Sequence, residues 1–277
     1  MSIFDLFKKK STVEPSQAPV AGSIRTAKSA HQATPEVIEA SEVKESPKIE
    51  TALSGAKETK CEGKRRVHNL LILDESGSMS SIYQPALTGV NETLQTIREA
   101  QKEHPDQEHF VTLVAFDSSH YNQIYKNTPA EKAKDITKEQ YRPGGCTPLF
   151  DAMGRSITEL RDYVGMNDVV LVTIITDGYE NASHEYDGRA IKALVESMKS
   201  EGWVFTYIGA NQDVEAVANA MSIDNHLRFE ASQTGARDMF DKEIRCRKKF
   251  FSKITPNQKM SDVCFDYFEE DEEEDNQ

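Results

Sequence analysis

Apolar residues recur along the central part of the chain in two alternating patterns, short continuous runs and longer stretches with helical spacing. Dense runs at residues 70–73 and 169–175 are typical of strands that are buried on both faces of a parallel sheet. Between such runs, apolar residues recur every three or four positions, as at Leu87, Val90 and Leu94, and predict helices. The predicted strands are 67–73, 109–116, 123–127, 168–176, 203–209 and 226–230, and the predicted helices are 80–103, 148–164, 188–200, 214–221 and 235–252.

Strands that alternate with helices indicate βαβ units, in which neighbouring strands run parallel and helices cover both faces of the sheet. We therefore expect an α/β fold with a doubly wound, mostly parallel central sheet, Rossmann-like in its layers, spanning residues 66–253. Sheets of this kind bind ligands beyond the carboxyl ends of their strands. Candidate site residues should therefore follow directly after predicted strands.

The two ends of the chain differ from this central region in composition. Residues 11–62 are rich in Ser, Thr, Ala, Pro, Glu and Lys and contain no aromatic residue, so we expect a disordered N-terminal arm over 1–65. Residues 254–277 include an unbroken acidic run at 269–275, where like charges repel one another. We expect this segment to form an acidic, disordered tail.

The net charge and the cysteines of the chain indicate which classes of partner it can bind and in which cellular compartment it works. The formal net charge of −13 disfavours binding to nucleic acid or to an anionic membrane surface. The four cysteines are widely spaced and form no Cys-x-x-Cys pair, which argues against a zinc site or a disulfide framework. No run approaches the ~20 apolar residues that span a bilayer, and the N-terminus lacks a secretory pattern. We expect a cytoplasmic protein without a membrane span.

Three segments carry hard oxygen donors at the positions where a ligand site is expected. Asp74, Ser76 and Ser78 follow the first predicted strand, and Asp177 follows the strand that ends at residue 176. Thr147 adds a hydroxyl on a glycine-rich turn, Gly-Gly-Cys-Thr-Pro. Carboxylate and hydroxyl oxygens suit a hard cation such as Mg²⁺ better than zinc.

Together these segments resemble the metal-ion-dependent adhesion site of the von Willebrand factor A (VWA) domain family. The family pattern is Asp-x-Ser-x-Ser, then a Thr on a Gly-rich loop, then an Asp at the end of a later strand. The resemblance covers roughly residues 67–250. The chain fills every ligand position in the family's order, with Asp74, Ser76, Ser78, Thr147 and Asp177.

The resemblance implies a binding module. By that resemblance Ser76 and Ser78 touch the metal directly, Asp74 and Asp177 act largely through water or hydrogen bonds, and Thr147 joins when ligand is bound. A protein partner then supplies an Asp or Glu carboxylate to the open metal position, and intracellular relatives often work beside AAA+ ATPases. Hydroxyl-rich ligation favours Mg²⁺, with Mn²⁺ and Ca²⁺ left open.

Three further polar residues border these segments. Glu75 occupies a position where the family often has a small or apolar residue, and we expect its side chain to point away from the metal. Glu180 and Asn181 lie just after Asp177 and Gly178. We expect these three residues to form a rim that influences the choice of partner.

Two other functions stay open. A Mg²⁺-dependent phosphohydrolase of the haloacid dehalogenase type also places an Asp after its first strand, but it needs a second Asp two residues later, where this chain has Ser76. The chain also lacks the Gly-x-Ser-x-Gly, Walker and dinucleotide-binding patterns, so we expect no enzyme activity. The third possibility is a phage- or assembly-associated structural protein.

Overall fold

The computed structural model describes residues 63–210, 213–255 and 266–268 of the 277-residue chain. Most of the predicted N-terminal arm (1–65) and of the predicted acidic tail (254–277) therefore lies outside the described residues. None of the described helices combines the length and the apolar character that crossing a bilayer requires.

The predicted fold class is confirmed: a six-stranded, mostly parallel sheet is flanked by five helices. A short 3₁₀ helix, Gly77–Ile82, precedes the first α-helix, and a second one, Ala130–Lys132, follows the third strand. The strands are β1 (Arg65–Asp74), β2 (Gln107–Phe116), β3 (Tyr121–Pro129), β4 (Val169–Thr176), β5 (Val204–Ala210) and β6 (Asn225–Phe229), and the helices are α1 (Tyr83–Glu103), α2 (Leu149–Arg161), α3 (Gly188–Ser200), α4 (Val214–Ala220) and α5 (Gln233–Lys253).

The order of the strands creates a crevice at the centre of the sheet. The order is β3-β2-β1-β4-β5-β6, and only β3 runs antiparallel to its neighbour. From β1 the chain continues to β2 on one side, whereas β4 lies on the other side, so the connections diverge between β1 and β4. Ligands of open α/β sheets bind at such a switch point, outside the carboxyl ends of the strands.

The two central strands are buried on both faces because side chains alternate between two apolar layers. Odd-numbered residues such as Leu71 and Ile175 pack in the layer that contains residues of α1 and α5. Even-numbered residues such as Ile72 and Ile174 pack in the layer that contains residues of α2, α3 and α4. By the same alternation, Asp74 at the end of β1 belongs to the face that α2 covers.

A buried polar network joins α5 to the central strands. Arg247 and Glu243, both buried on α5, form an ion pair with N–O distances of 2.7 and 2.8 Å. The Arg247 guanidinium also donates to Asn69 Oδ1 on β1 at 3.0 Å and to Thr173 Oγ1 on β4 at 2.8 Å. The Tyr267 hydroxyl donates to Glu243 Oε1 at 3.1 Å. A buried charge is tolerated only when it is paired in this way.

The structure differs from several predicted boundaries by one to three residues, as at α1, which begins at Tyr83, and α2, which ends at Arg161, and two further differences concern the edge strand and the tail. The edge strand β3 is longer than the predicted 123–127, because its pairing with β2 continues to Pro129. Tyr267 and Phe268 fall within the predicted disordered tail, yet both side chains are buried in the layer with α1 and α5. Two aromatic side chains supply enough apolar area to hold this short segment against the core.

Candidate metal centre

The centre of the candidate site lies where β1 and β4 end side by side. Asp74, the last residue of β1, is fully buried. Its carboxylate accepts the Thr176 hydroxyl at 2.6 Å through Oδ2 and the Ser76 backbone N–H at 2.7 Å through Oδ1. These two bonds fix the orientation of the carboxylate at the switch point of the sheet.

The two serines connect Asp74 to Asp177. The Ser76 and Ser78 hydroxyl oxygens are 3.1 Å apart, and the Ser78 hydroxyl donates to Asp177 Oδ1 at 2.5 Å. Ser76 is the N-cap of the 3₁₀ helix Gly77–Ile82, so the chain turns off the sheet here and brings Ser78 back over the strand ends. The structure therefore joins all four of these predicted residues in one hydrogen-bonded group.

Thr147 reaches the same group from the glycine-rich loop. The position that a Cβ would occupy on Gly178 lies 3.3 Å from Thr147 Oγ1, 3.4 Å from Ser78 Oγ and 3.9 Å from Asp74 Oδ2. Oxygens from two separate segments, the one that follows β1 and the glycine-rich loop, thus lie near one point on the third segment, where residue 178 is glycine and has no side chain. This arrangement is a cradle lined by oxygen.

The cradle is bounded by two buried carboxylates, Asp74 and Asp177. Burial raises the pKa of Asp74 to about 6 and also raises the pKa of Asp177. Within the described part of the chain, no Lys, Arg or His forms an ion pair with either residue. A bound cation would relieve this unfavourable burial of negative charge.

The donor set consists of oxygen atoms and fits a hard cation. Across the described residues, no three His, Cys, Asp or Glu side chains come together as a metal-binding group. A cation in the cradle would therefore be held by two carboxylates and by the hydroxyls of Ser76, Ser78 and Thr147. Oxygen-only ligation with few carboxylates is the chemistry of Mg²⁺.

Glu75 does not reach the cradle. As expected, its buried carboxylate points away and accepts the backbone N–H of Arg142. Burial raises the pKa of Glu75. The backbone reinforces this attachment, because Gly144 donates to the Glu75 carbonyl at 2.8 Å and Gly77 donates to the Gly145 carbonyl at 3.1 Å. Glu75 therefore holds the glycine-rich loop against the end of β1.

The side chains of Glu180 and Asn181 also accept hydrogen bonds from the backbone of neighbouring segments. Asn181 Oδ1 accepts the Thr147 backbone N–H at 2.9 Å, and the Asn181 N–H donates to the Thr147 carbonyl at 3.1 Å. Glu180 accepts the Phe150 N–H at 2.9 Å in the first turn of α2 and the Ser183 N–H at 2.7 Å. Asn181 thus connects the loop after β4 to the loop that carries Thr147, and Glu180 connects it to the start of α2.

Sequence reasoning did not identify three residues that support the site. Tyr141 is buried and its hydroxyl donates to the Asp74 carbonyl at 3.1 Å. Asp151 accepts the backbone N–H groups of residues 184–186, each at 2.8 Å. Thr176 is an ordinary strand residue in sequence. Each forms bonds between positions 30 or more apart, which no local pattern reveals.

Comparisons with known proteins return structural likenesses of low sequence identity. No family model and no curated protein matches the sequence. Among solved structures, the PilB minor pilin from Streptococcus sanguinis is 14% identical over 70% of this chain and 64% of its own, with a TM-score of 0.47. The vWF domain of the type V pili tip protein Mfa5 from Porphyromonas gingivalis is 9% identical over 69% and 98%, also with a TM-score of 0.47.

A third similar structure is the pilus adhesin SpaC from Lactobacillus rhamnosus GG in its open conformation. It is 15% identical over 69% of this chain and 31% of its own, with a TM-score of 0.47. The chain therefore spans less than two thirds of PilB and about a third of SpaC.

Proposed function

We propose that this chain is a Mg²⁺-dependent protein-binding module that captures an acidic side chain of a protein partner. The observation that carries the proposal is the oxygen cradle beside Gly178, where oxygens of Asp74 and Ser78, after β1, and of Thr147, on the glycine-rich loop, lie near one point at the end of β4. When bound, Mg²⁺ would supply an electrophilic centre with a coordination position open to a partner carboxylate.

Each residue of the cradle has a distinct part in this function. Asp74 and Asp177 provide the negative charge that attracts a cation, while the hydroxyls of Ser76, Ser78 and Thr147 donate oxygens without adding charge. A site with few carboxylates stays attractive to a further acid. Because Asn181 and Glu75 hold the Thr147 loop by its backbone, the cradle is preorganised, and preorganisation lowers the entropic cost of binding.

We propose binding without catalysis. The Ser76 and Ser78 hydroxyls are bonded to each other, and Ser78 donates to Asp177. At the position two residues after Asp74, where a phosphohydrolase of the expected type has its acid/base carboxylate, the chain has Ser76. Mg²⁺-dependent turnover of phosphate esters that Asp74→Asn abolishes would contradict this part of the proposal.

The test has two stages. Isothermal titration of the metal-free protein should give Mg²⁺ binding that Thr147→Ala weakens and that EDTA reverses. The full chain is then used as bait for its host's lysate in Mg²⁺, in EDTA, and as Thr147→Ala in Mg²⁺. A protein retained only by the wild type in Mg²⁺ supports the proposal, and equal retention in all three arms contradicts it.

A further inference from the structure

A cavity of about 250 Å³ lies directly beside the candidate metal centre. It is bordered by the turn between β2 and β3, by the first turns of α2 and by the loop after β4. Its wall is continuous with the cradle, because Pro148 lines it and follows Thr147 in sequence. The Ser118 N–H donates to the Cys146 carbonyl at 3.0 Å, and the Ser118 hydroxyl accepts the Cys146 N–H at the same distance.

The size of the cavity limits what it holds. Pockets for cofactors and drug-sized ligands measure roughly 300–1,000 Å³, so a cavity of about 250 Å³ suits a single side chain. Adjacent Cα atoms of any chain are about 3.8 Å apart. A residue next to the partner's acidic residue therefore stays within reach of Pro148, which lines this cavity and follows Thr147 in sequence.

The lining of the cavity combines apolar surface with a net negative charge. Phe116, Tyr121 and Pro148 present apolar groups. Among the charged residues, Arg155 is neutralised by Glu185, whose two carboxylate oxygens accept from its Nε at 3.0 Å and from its terminal nitrogen.

Two carboxylates, Asp117 and Asp151, form no ion pair with a Lys or Arg of the described residues, although His120 Nδ1 lies 3.3 Å from Asp117 Oδ1. Asp117 accepts the N–H groups of Ser119 and His120 through Oδ1 at 2.6 and 2.7 Å. Asp151 is bonded to backbone N–H groups of the loop after β4. Counting histidine as neutral, the lining and Glu185 together carry two more negative than positive charges.

We infer that this cavity receives a Lys or Arg side chain adjacent to the partner's metal-binding acid. The apolar stem of such a side chain fits against Phe116, Tyr121 and Pro148, and its charge complements Asp117 and Asp151. The partner segment is then an acidic residue next to a basic one. This inference rests on the proposed function, because the acid at the metal brings the basic residue to the cavity.

The test uses short acetylated peptides that are immobilised on a sensor surface and contain one Asp within glycines. The residue before or after the Asp is Lys, norleucine or Glu, where norleucine keeps an apolar stem but has no charge. In Mg²⁺ the full chain should bind the better Lys peptide about fivefold more tightly than its norleucine counterpart. The Glu peptide should bind most weakly.

Two variants separate the cavity from the cradle. Asp117→Asn keeps an oxygen for the Ser119 and His120 N–H groups, and it should retain Asp- and Mg²⁺-dependent binding while losing the preference for Lys. Asp162→Asn removes the same charge from an exposed position after the far end of α2 and should keep the preference.

The possible failures are distinguishable. Binding can require the peptide's Asp, Mg²⁺ and Thr147 without depending on the charge of the residue next to that Asp. This result overturns the cavity assignment but is consistent with the proposed function. A preference for Lys that survives Asp117→Asn overturns the cavity assignment as well. If no peptide shows Asp- and Mg²⁺-dependent binding, the proposed function fails, and this inference fails with it.

Discussion

Thr147 and Asn181 hold each other through two hydrogen bonds, one from the Thr147 N–H to the Asn181 side chain and one from the Asn181 N–H to the Thr147 carbonyl. The distances are 2.9 and 3.1 Å, and the residues are 34 positions apart. The pair fixes the backbone of the residue whose hydroxyl completes the cradle. Asn181 is therefore a positioning residue for Thr147.

We predict that Asn181→Ala weakens Mg²⁺ binding by about three- to tenfold, the equivalent of one lost hydrogen bond. Asn181→Asp keeps the accepting oxygen and should bind Mg²⁺ at least as tightly as the wild type. Isothermal titration of both variants measures the effect. An Asn181→Ala protein with wild-type affinity would show that the clamp does not position Thr147.

Gly178→Ala should fill the cradle. A Cβ there approaches Thr147 Oγ1 and Ser78 Oγ to 3.3 and 3.4 Å. We expect Mg²⁺ affinity to fall by about tenfold or more. Gly144→Ala is the matched control on the neighbouring loop, because its Cβ meets nothing nearer than an Asp117 oxygen at 3.9 Å. Equal losses in both variants would mean that the cradle is not the metal position.

Asp74→Asn should stabilise the metal-free protein. The pKa of Asp74 is about 6 in the folded protein against 3.8 for an ordinary Asp. The contribution of the Asp74 carboxyl to the free energy of unfolding is therefore fully present below pH 3.8, and it is lost as the pH rises through 6. At pH 7.5 in EDTA, urea unfolding should show Asp74→Asn to be about 1–3 kcal/mol more stable. Mg²⁺ should then stabilise the wild type but not the variant; a less stable variant in EDTA would contradict this prediction.

Because His109 is buried, we predict that acid lowers the free energy of unfolding of the protein. Burial, followed by the nearby charges of His104 and Arg247, lowers its pKa from 6.5 to about 3. The folded protein thus keeps His109 neutral while the unfolded chain takes up a proton below pH 6.5. The contribution of His109 to the free energy of unfolding is fully present above pH 6.5. It falls by about 1.4 kcal/mol per pH unit as the pH drops towards 3.

The variant His109→Phe removes this titration and keeps an aromatic ring against Phe251, whose ring centroid lies 4.6 Å from that of His109. Urea unfolding between pH 7 and pH 4 should show a shallower loss of stability in the variant than in the wild type. Parallel pH profiles would mean that folding does not lower the pKa of His109.

Tyr267 should anchor the segment beyond α5. We expect Tyr267→Ala to lower the free energy of unfolding by about 3–5 kcal/mol, the usual cost of removing a buried aromatic side chain. Tyr267→Phe removes only the hydrogen bond to Glu243 and should cost about 1 kcal/mol. If both variants unfold like the wild type in urea, the segment does not contribute to the core.

Much of this fold could be predicted from the sequence because its strongest signals are local. The apolar runs of β1 and β4 set the centre of the sheet, and Asp74 and Asp177 follow them directly. Alternation of strands and helices then places both residues at one edge of the sheet. The motif therefore predicted which side chains the structure brings together at the end of β1 and β4.

The supporting residues could not be predicted, because their roles depend on bonds between distant positions. Glu180 and Asn181 resemble ordinary loop residues in sequence. From sequence we expect them to form part of a rim that influences the choice of partner. In the structure their oxygens accept backbone N–H groups 30 and 34 positions away. The aromatic pair Tyr267 and Phe268 was hidden for a different reason, since acidic neighbours dominate the composition of that segment.

The contact between Thr176 and Asp74 joins residues 102 positions apart. Forming it closes a long loop between the ends of β1 and β4, a step that costs chain entropy. High contact order of this kind makes the folding rate depend on topology. A ligand of the cradle would bind the native state alone and would slow unfolding without accelerating folding. Metal would therefore act on the lifetime of the folded protein.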